Sequence, residues 1–198
     1  MIKENKKELP TKKVHNAAQT QKKILEAAKK QFFENSYENV ALRKIAAASE
    51  IDVAMVNRYF GSKENLFKEV LSSVLKEKKN IIPINPQKVG QSIAEYIVSE
   101  LWKKEPEKNF YLFQLLLKSV TSPIAAPIIA QIFHEESIIP FSILLNSENS
   151  ELKVGIISSY ILGLITVVTA LKSPTISPEH HSKIVGILGK AIQDCIDS

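Results

Sequence analysis

The chain has 198 residues, a formal net charge of +5 at pH 7 and 44% hydrophobic residues, enough for one or two domains with a sizeable core. Its single cysteine, Cys195, excludes a disulfide framework within the chain. The polar first twenty residues lack the apolar run of a signal peptide, so a cytoplasmic protein is expected. Charge is uneven. Residues 1–63 carry thirteen Lys and Arg against seven Asp and Glu, a net +6, while residues 64–198 carry thirteen against fourteen, a net −1. A basic excess confined to one end suits a surface that neutralises phosphates.

Residues 1–19 read as a basic, flexible arm. Lys3, Lys6, Lys7, Lys12 and Lys13 stand among too little apolar material to bury a core. Such an arm either follows a DNA backbone or minor groove or is a solvated tail. Over residues 21–34, Ile24, Leu25, Ala28 and Phe32 recur at helical spacing. A second helix is expected over 42–49 with Leu42, Ile45 and Ala46 inward, and a third over 53–59. Between them Glu50-Ile51-Asp52 makes a tight turn plugged by Ile51. Two short helices on such a turn form a helix-turn-helix, whose second helix enters the DNA major groove. In that frame Val53, Ala54, Met55, Asn57 and Arg58 lie at the start and along the exposed face of the recognition helix. Gly61 can end that helix in the left-handed conformation, and Ser62 caps a fourth helix with Glu64 in its first turn.

Farther on, helix starts are marked by a polar residue followed by proline, which suits a first helical turn. Asn85-Pro86, Glu105-Pro106, Ser122-Pro123 and Ser177-Pro178 open four helices, and Asn149-Ser150 precede another over 151–171. In that helix Val154, Ile157, Ile161, Leu164, Val168 and Leu171 form a packing seam, while Gly155, Ser159, Gly163 and Val167 lie four apart on a second stripe. The last helix repeats the pattern with Ile184, Leu188, Ala191 and Cys195. Two such helices from each of two subunits suit a four-helix homodimer interface. The uncharged run 154–171 reaches the lower limit for a membrane span, but a buried soluble helix is the better reading, and no membrane is expected. Tyr96, Trp102, Phe110, Tyr111, Phe113, Phe133 and Phe141 cluster as a core, and His134 is either a polar anchor in a ligand cavity or a surface residue. The fold expected is all-α with about nine helices, divided into the arm 1–19, a helix-turn-helix domain 20–65 and a second helical domain 66–198 that carries the dimerisation helices. Catalytic chemistry has nothing to stand on: there is no His-Glu-x-x-His, no cysteine pair and no Gly-rich phosphate loop, so no enzyme, metal or cofactor is expected.

One stretch goes further. Ile24-Leu25-x-Ala27-Ala28, Phe32-Phe33, Tyr37, Leu42-Arg43-x-Ile45-Ala46, Ile51 and the unbroken Asn57-Arg58-Tyr59-Phe60-Gly61-Ser62-Lys63-Glu64-x-Leu66-Phe67 resemble the DNA-binding domain of TetR/AcrR-family bacterial transcriptional repressors. Ser36 and Glu50 stand where the family usually or often has Gly, and Val40-Ala41 where it has a capping Ser or Thr. Asn35 is expected to take a left-handed conformation and Asn39 to cap the second helix instead. The resemblance implies a homodimer that binds a double-stranded operator and is released from it by a small apolar or amphipathic ligand held among the second-domain aromatics. It implies base contact by Arg43, phosphate contact by Tyr59 and Lys63, and a dimer interface on the last two long helices. The alternative is a helical ligand-binding or protein-interaction module that has lost DNA binding.

Overall fold

The computed structural model describes residues 11–78, 88–103 and 111–198. Among them every regular element is helical and none is a strand, so the fold is all-α. The chain divides into two compact units, Met1–Val70 and Leu71–Ser198.

The first unit contains α1 (Thr11–Glu34), α2 (Leu42–Ser49), α3 (Val53–Phe60) and the first half of α4 (Lys63–Lys78). Helix α1 starts ten residues earlier than its apolar spacing indicates, so residues 11–19 of the expected arm are helical. Nothing between Thr11 and Gln19 breaks a helix and Ala17-Ala18 favour one, so the packed turns downstream extend backwards at little cost. The rest of that arm, residues 1–10, lies outside the described residues. Ile24, Ala28 and Phe32 of α1, Ile45 of α2, Val56 of α3 and Leu66, Phe67 and Val70 of α4 are almost wholly buried. At their centre Phe67 meets Phe32 and Tyr37 edge-on, with ring centroids 4.9 and 5.0 Å away. Burial of this apolar set, at about 25 cal/mol per Å², is what holds four short helices together.

Two local expectations are corrected here. Asn35 is not left-handed; its backbone N–H and its side-chain amide both donate to the Gln31 carbonyl, at 3.1 and 3.0 Å, and close α1 without a positive φ. Ser36 then runs extended (φ −65°), so this turn has no need of glycine. Asn39 caps nothing: it ends a 3-10 turn over Tyr37–Asn39, and α2 begins from Ala41 with no side-chain cap. Val40, buried in the core, holds the chain extended between the two elements.

In the second unit α5 (Val89–Leu101), α6 (Tyr111–Ser119), α7 (Ala125–Phe133), α8 (Ile139–Leu145), α9 (Ser150–Ile165) and α10 (His181–Asp197) follow in order. A π-helical turn, His134–Ile138, carries α7 into α8 without a break, so the ten described α-helical segments make nine rods. The expected starts at Asn85-Pro86 and Glu105-Pro106 lie outside the described residues. At Ser122 the device works as expected: its hydroxyl accepts the Ala125 N–H at 3.0 Å. Helices α5 and α10 make the closest pair. Gly90 lies so near that a Cβ there would stand 2.3 Å from the Gly189 carbonyl oxygen, and the Gly90 N–H donates to Gln193 Oε1 at 3.1 Å. Around this crossing Ile93, Ala94 and Val98 pack on Val185, Leu188 and Ile192, with Ile157 from α9.

Helix α9 also widens into a π-helical turn, Thr166–Ala170. The expected seam holds through Val154, Ile157, Ile161, Leu164 and Val168, all packed inward. Past the wider turn it ends, and Leu171 is 69% exposed. Leu188, expected on a subunit interface, instead fills its own subunit's core at 8% exposure.

Candidate nucleic-acid interface

The turn between α2 and α3 is built from backbone geometry. Glu50 adopts the left-handed conformation (φ 57°, ψ 35°) that glycine would take without steric cost. In this conformation the Ile51 N–H donates to the Ala46 carbonyl at 3.0 Å, which satisfies the end of α2. Asp52 then caps α3, its Oδ1 accepting the Ala54 N–H at 2.7 Å. Val56 is the buried residue of α3. The opposite face presents Ala54, Asn57 and Arg58 to solvent, with Val53, Met55 and Tyr59 half-buried along its edges. Arg43 is exposed on α2. The helix ends at Gly61, whose φ of 76° with ψ of −57° is not the expected left-handed conformation but one that side chains disfavour still more, and Ser62 Oγ accepts the Asn65 N–H at 3.2 Å to start α4.

Behind the turn, Tyr37 donates its hydroxyl to Glu64 Oε1 at 3.0 Å, and Lys63 Nζ stands 4.3 Å from the centroid of the Tyr37 ring. Burial, followed by the Glu64 hydrogen bond, pushes the Tyr37 hydroxyl pKa far above its ordinary value. Glu64 moves the other way, held down by the helix-terminal backbone, by Ser62 and by Tyr37. Burial lowers the Lys63 ammonium pKa, against the pull of Glu38 and Glu64. This trio fixes the start of α4 against the core, and Lys63, expected only as a phosphate contact, is also part of the packing.

The second unit carries the remaining sequence-predicted sites. Trp102 and Phe113 meet in one apolar cluster with Leu101 and Ile165. Tyr96 is half-buried on α5, where burial and Glu100 raise its hydroxyl pKa. Phe133 is half-buried at the end of α7, and Phe110 lies outside the described residues. His134 is not beside the aromatic cluster. Its exposed ring faces the surface carboxylate of Glu151 at 3.8 Å, because α7 turns Ile128, Ile129 and Ile132 inward and His134 falls on the other side. On α9, Gly155, Ser159 and Gly163 are exposed, and a Cβ at either glycine would meet nothing within 4 Å. Val167, Ile184 and Ala191 are half-buried.

Residues 24–70 match the family model for bacterial regulatory proteins of the tetR family, and residues 87–196 match the tetracyclin repressor-like C-terminal domain. The chain belongs to the tetR family. Solved structures agree on the fold. GusR of Salmonella enterica is 15% identical, with a TM-score of 0.67 over 90% of this chain and 96% of its own. NalD of Pseudomonas aeruginosa, the secondary repressor of the MexAB-OprM multidrug efflux pump, is 19% identical, with a TM-score of 0.62 over 87% and 96%. The multidrug binding protein EbrR, solved with ethidium, is 13% identical, with a TM-score of 0.63 over 86% and 97%. No curated protein matches the chain.

As a tetR-family protein the chain is a DNA-binding transcriptional regulator, with its helix-turn-helix in the first unit. Sequence reasoning missed part of the apolar surface of the second. Leu152, Ile156 and Tyr160 stand exposed beside Gly155, Ser159 and Gly163, and Ile187 stands exposed on α10. Their spacing gives the signal: Leu152, Gly155, Ile156, Ser159, Tyr160 and Gly163 recur at i, i+3, i+4, i+7, i+8 and i+11 and so share one helix face. Two stretches, Ala125–Leu145 and Ser150–Ala170, are long and apolar enough to cross a membrane by length and composition. Both lie within the matched C-terminal domain, and the first carries Glu135 and Glu136 near its middle, where burial in a bilayer would cost several kcal/mol.

Proposed function

We propose that this regulator is a homodimeric repressor in the cytoplasm that binds an operator and leaves it when a small apolar or amphipathic molecule enters the second unit. The observation that carries the reading is the recognition helix itself: α3 is capped by Asp52, ended by Gly61, and offers Ala54, Asn57 and Arg58 to solvent on one face. An exposed face of this size on a basic unit has no packing role. Asn57 and Arg58, together with Arg43 of α2, supply the bidentate hydrogen-bonding groups that distinguish bases in the major groove; Ala54, Val53 and Met55 supply apolar contact to thymine methyls. Tyr59 and Lys63 take flanking phosphates. The intact cap and turn also weigh against a module that has lost DNA binding, since Glu50 and Ser36 keep the geometry without glycine.

The exposed row Leu152, Gly155, Ile156, Ser159, Tyr160 and Gly163 is the face a second copy covers, with small residues letting the two α9 helices approach. The ligand site centres on Trp102 and Phe113; EbrR, a structural relative, holds ethidium, an aromatic cation of the amphipathic kind. A route from that unit to the reader runs through α4. Glu136 of the π-helical turn accepts from Ser72 Oγ at 3.2 Å and pairs with Lys76 at 3.3 Å, both on the second half of α4. A ligand that displaces the turn shifts α4, and with it the reader, provided it binds the DNA-incompatible arrangement more tightly. Transcription in a purified system from the promoter beside the protein's own gene tests the reading. Added protein should lower the transcript; a rise would make it an activator, and no change would remove that promoter's operator.

A further inference from the structure

A cleft of about 450 Å³ opens on the surface of the first unit beside the last turn of α3. Three helices contribute to its walls: Lys22 from α1, Tyr59 from α3, and Asn65, Lys68 and Glu69 from α4. We propose that this cleft seats one DNA backbone phosphate, with Lys22 and Lys68 as the positioning cations. The proposal rests on the operator-binding reading above and adds two residues to it.

Four observations support the assignment. The cleft is open, as a phosphodiester requires, because the group stays attached to its strand and can enter only from the side; Leu25 and Phe60 line it beside the polar groups. Its charge is matched: two lysines against Glu69 leave +1 opposite the single negative charge of a phosphodiester. The charge is also available, since among the described residues neither Lys22 nor Lys68 makes an ion pair. Lys29 differs in this respect, being paired with Glu26. Finally, the cleft adjoins the reading face. Tyr59 directly follows Arg58, so a phosphate held by Lys22, Lys68, the Tyr59 hydroxyl and the Asn65 amide lies on the strand that flanks the groove α3 reads. Contacts of this kind fix register and orientation without reading sequence. They would tie α1 and α4 to the same phosphate as the end of α3, and so hold the recognition helix at one angle in the groove.

The test uses the full chain and fluorescence anisotropy, with the promoter fragment and a scrambled duplex over a range of salt. Lys22→Ala and Lys68→Ala should each make the slope of log affinity against log salt shallower by about 0.9. The change should be the same on both duplexes, leaving the ratio of their affinities intact. Lys68→Arg should restore the slope, which a merely structural role for Lys68 would not require. Melting curves of the variants should stay near the wild type, since Lys22 is exposed and Lys68 only half-buried. Wild-type binding with unchanged slopes in both variants overturns this proposal alone. A wild-type chain that binds neither duplex overturns the operator reading and this proposal with it. Titration with inorganic pyrophosphate covers the remaining source of such an anion: saturable binding lost in Lys22→Ala/Lys68→Ala, with DNA slopes unchanged, would make the cleft a site for a free anion and overturn the DNA assignment.

Discussion

Arg43 is exposed on α2, and the operator reading proposed above gives it a base edge. Replacing it with alanine should cost about 1–3 kcal/mol on the operator and little on scrambled DNA. Equal losses on both duplexes, measured by anisotropy at one salt concentration, would make Arg43 a phosphate contact. Tyr37 and Glu64 belong to the interior of the same unit. Tyr37→Phe removes one hydrogen bond to a carboxylate and should cost about 1–2 kcal/mol, visible as a lower melting temperature. The pH dependence has a definite sign. The Glu64 carboxyl pKa is lowered in the folded chain, so its contribution is present above the ordinary carboxylate range and is lost as pH falls through the folded value. The midpoint of wild type should therefore fall more on acidification than that of Glu64→Gln. Parallel curves would mean that Glu64 contributes nothing. At this scale the run Asn57–Phe67 was legible because single residues in it meet demanding local requirements. Ser62 caps, Gly61 takes a positive φ, and Leu66 and Phe67 pack the core. Lys63 was only half legible, since its position over Tyr37 depends on a residue twenty-six places earlier.

Glycines divide the helices of the second unit into two kinds. Gly90 and Gly189 let α5 and α10 touch, whereas Gly163 faces open space. Gly90→Ala should destabilise the unit by about 1–3 kcal/mol or more through overpacking. Gly163→Leu should leave the protomer folded, with helix propensity favouring leucine by roughly 1 kcal/mol, yet separate the two copies in analytical ultracentrifugation. A Gly163→Leu chain that stays dimeric would move the interface elsewhere. The sequence could not assign these two kinds. Helix α9 is apolar nearly all round, so periodicity alone leaves open which stripe meets the protomer and which meets a second copy. Leu188 was misplaced because the one apolar stripe of α10 suits a helix of its own protomer as well as one of a second copy, and Leu171 because a π-helical turn shifts register without any proline or glycine to announce it. The corrected end of α1 and lead-in to α2 have a local cause too: Asn35 and Asn39 can each cap or turn a chain, and the neighbouring buried Tyr37 and Val40 decide which they do.

For the whole molecule, charge and motif gave the all-α class and the tetR membership directly, because a basic helix-turn-helix followed by proline-marked helices has few other solutions. Ligand identity is of another kind: an aromatic cluster such as Trp102 and Phe113 serves a core and a cavity equally well. The central claim is that two linked copies read a specific operator. The most direct measurement is an anisotropy titration of the full chain on the promoter fragment and on a scrambled duplex at the same near-physiological salt, with stoichiometry read at saturation. The expected result is a preference of about 10³-fold or more for the promoter fragment, with chains bound in pairs. Equal affinities for the two duplexes, or saturation at one chain per site, would contradict it.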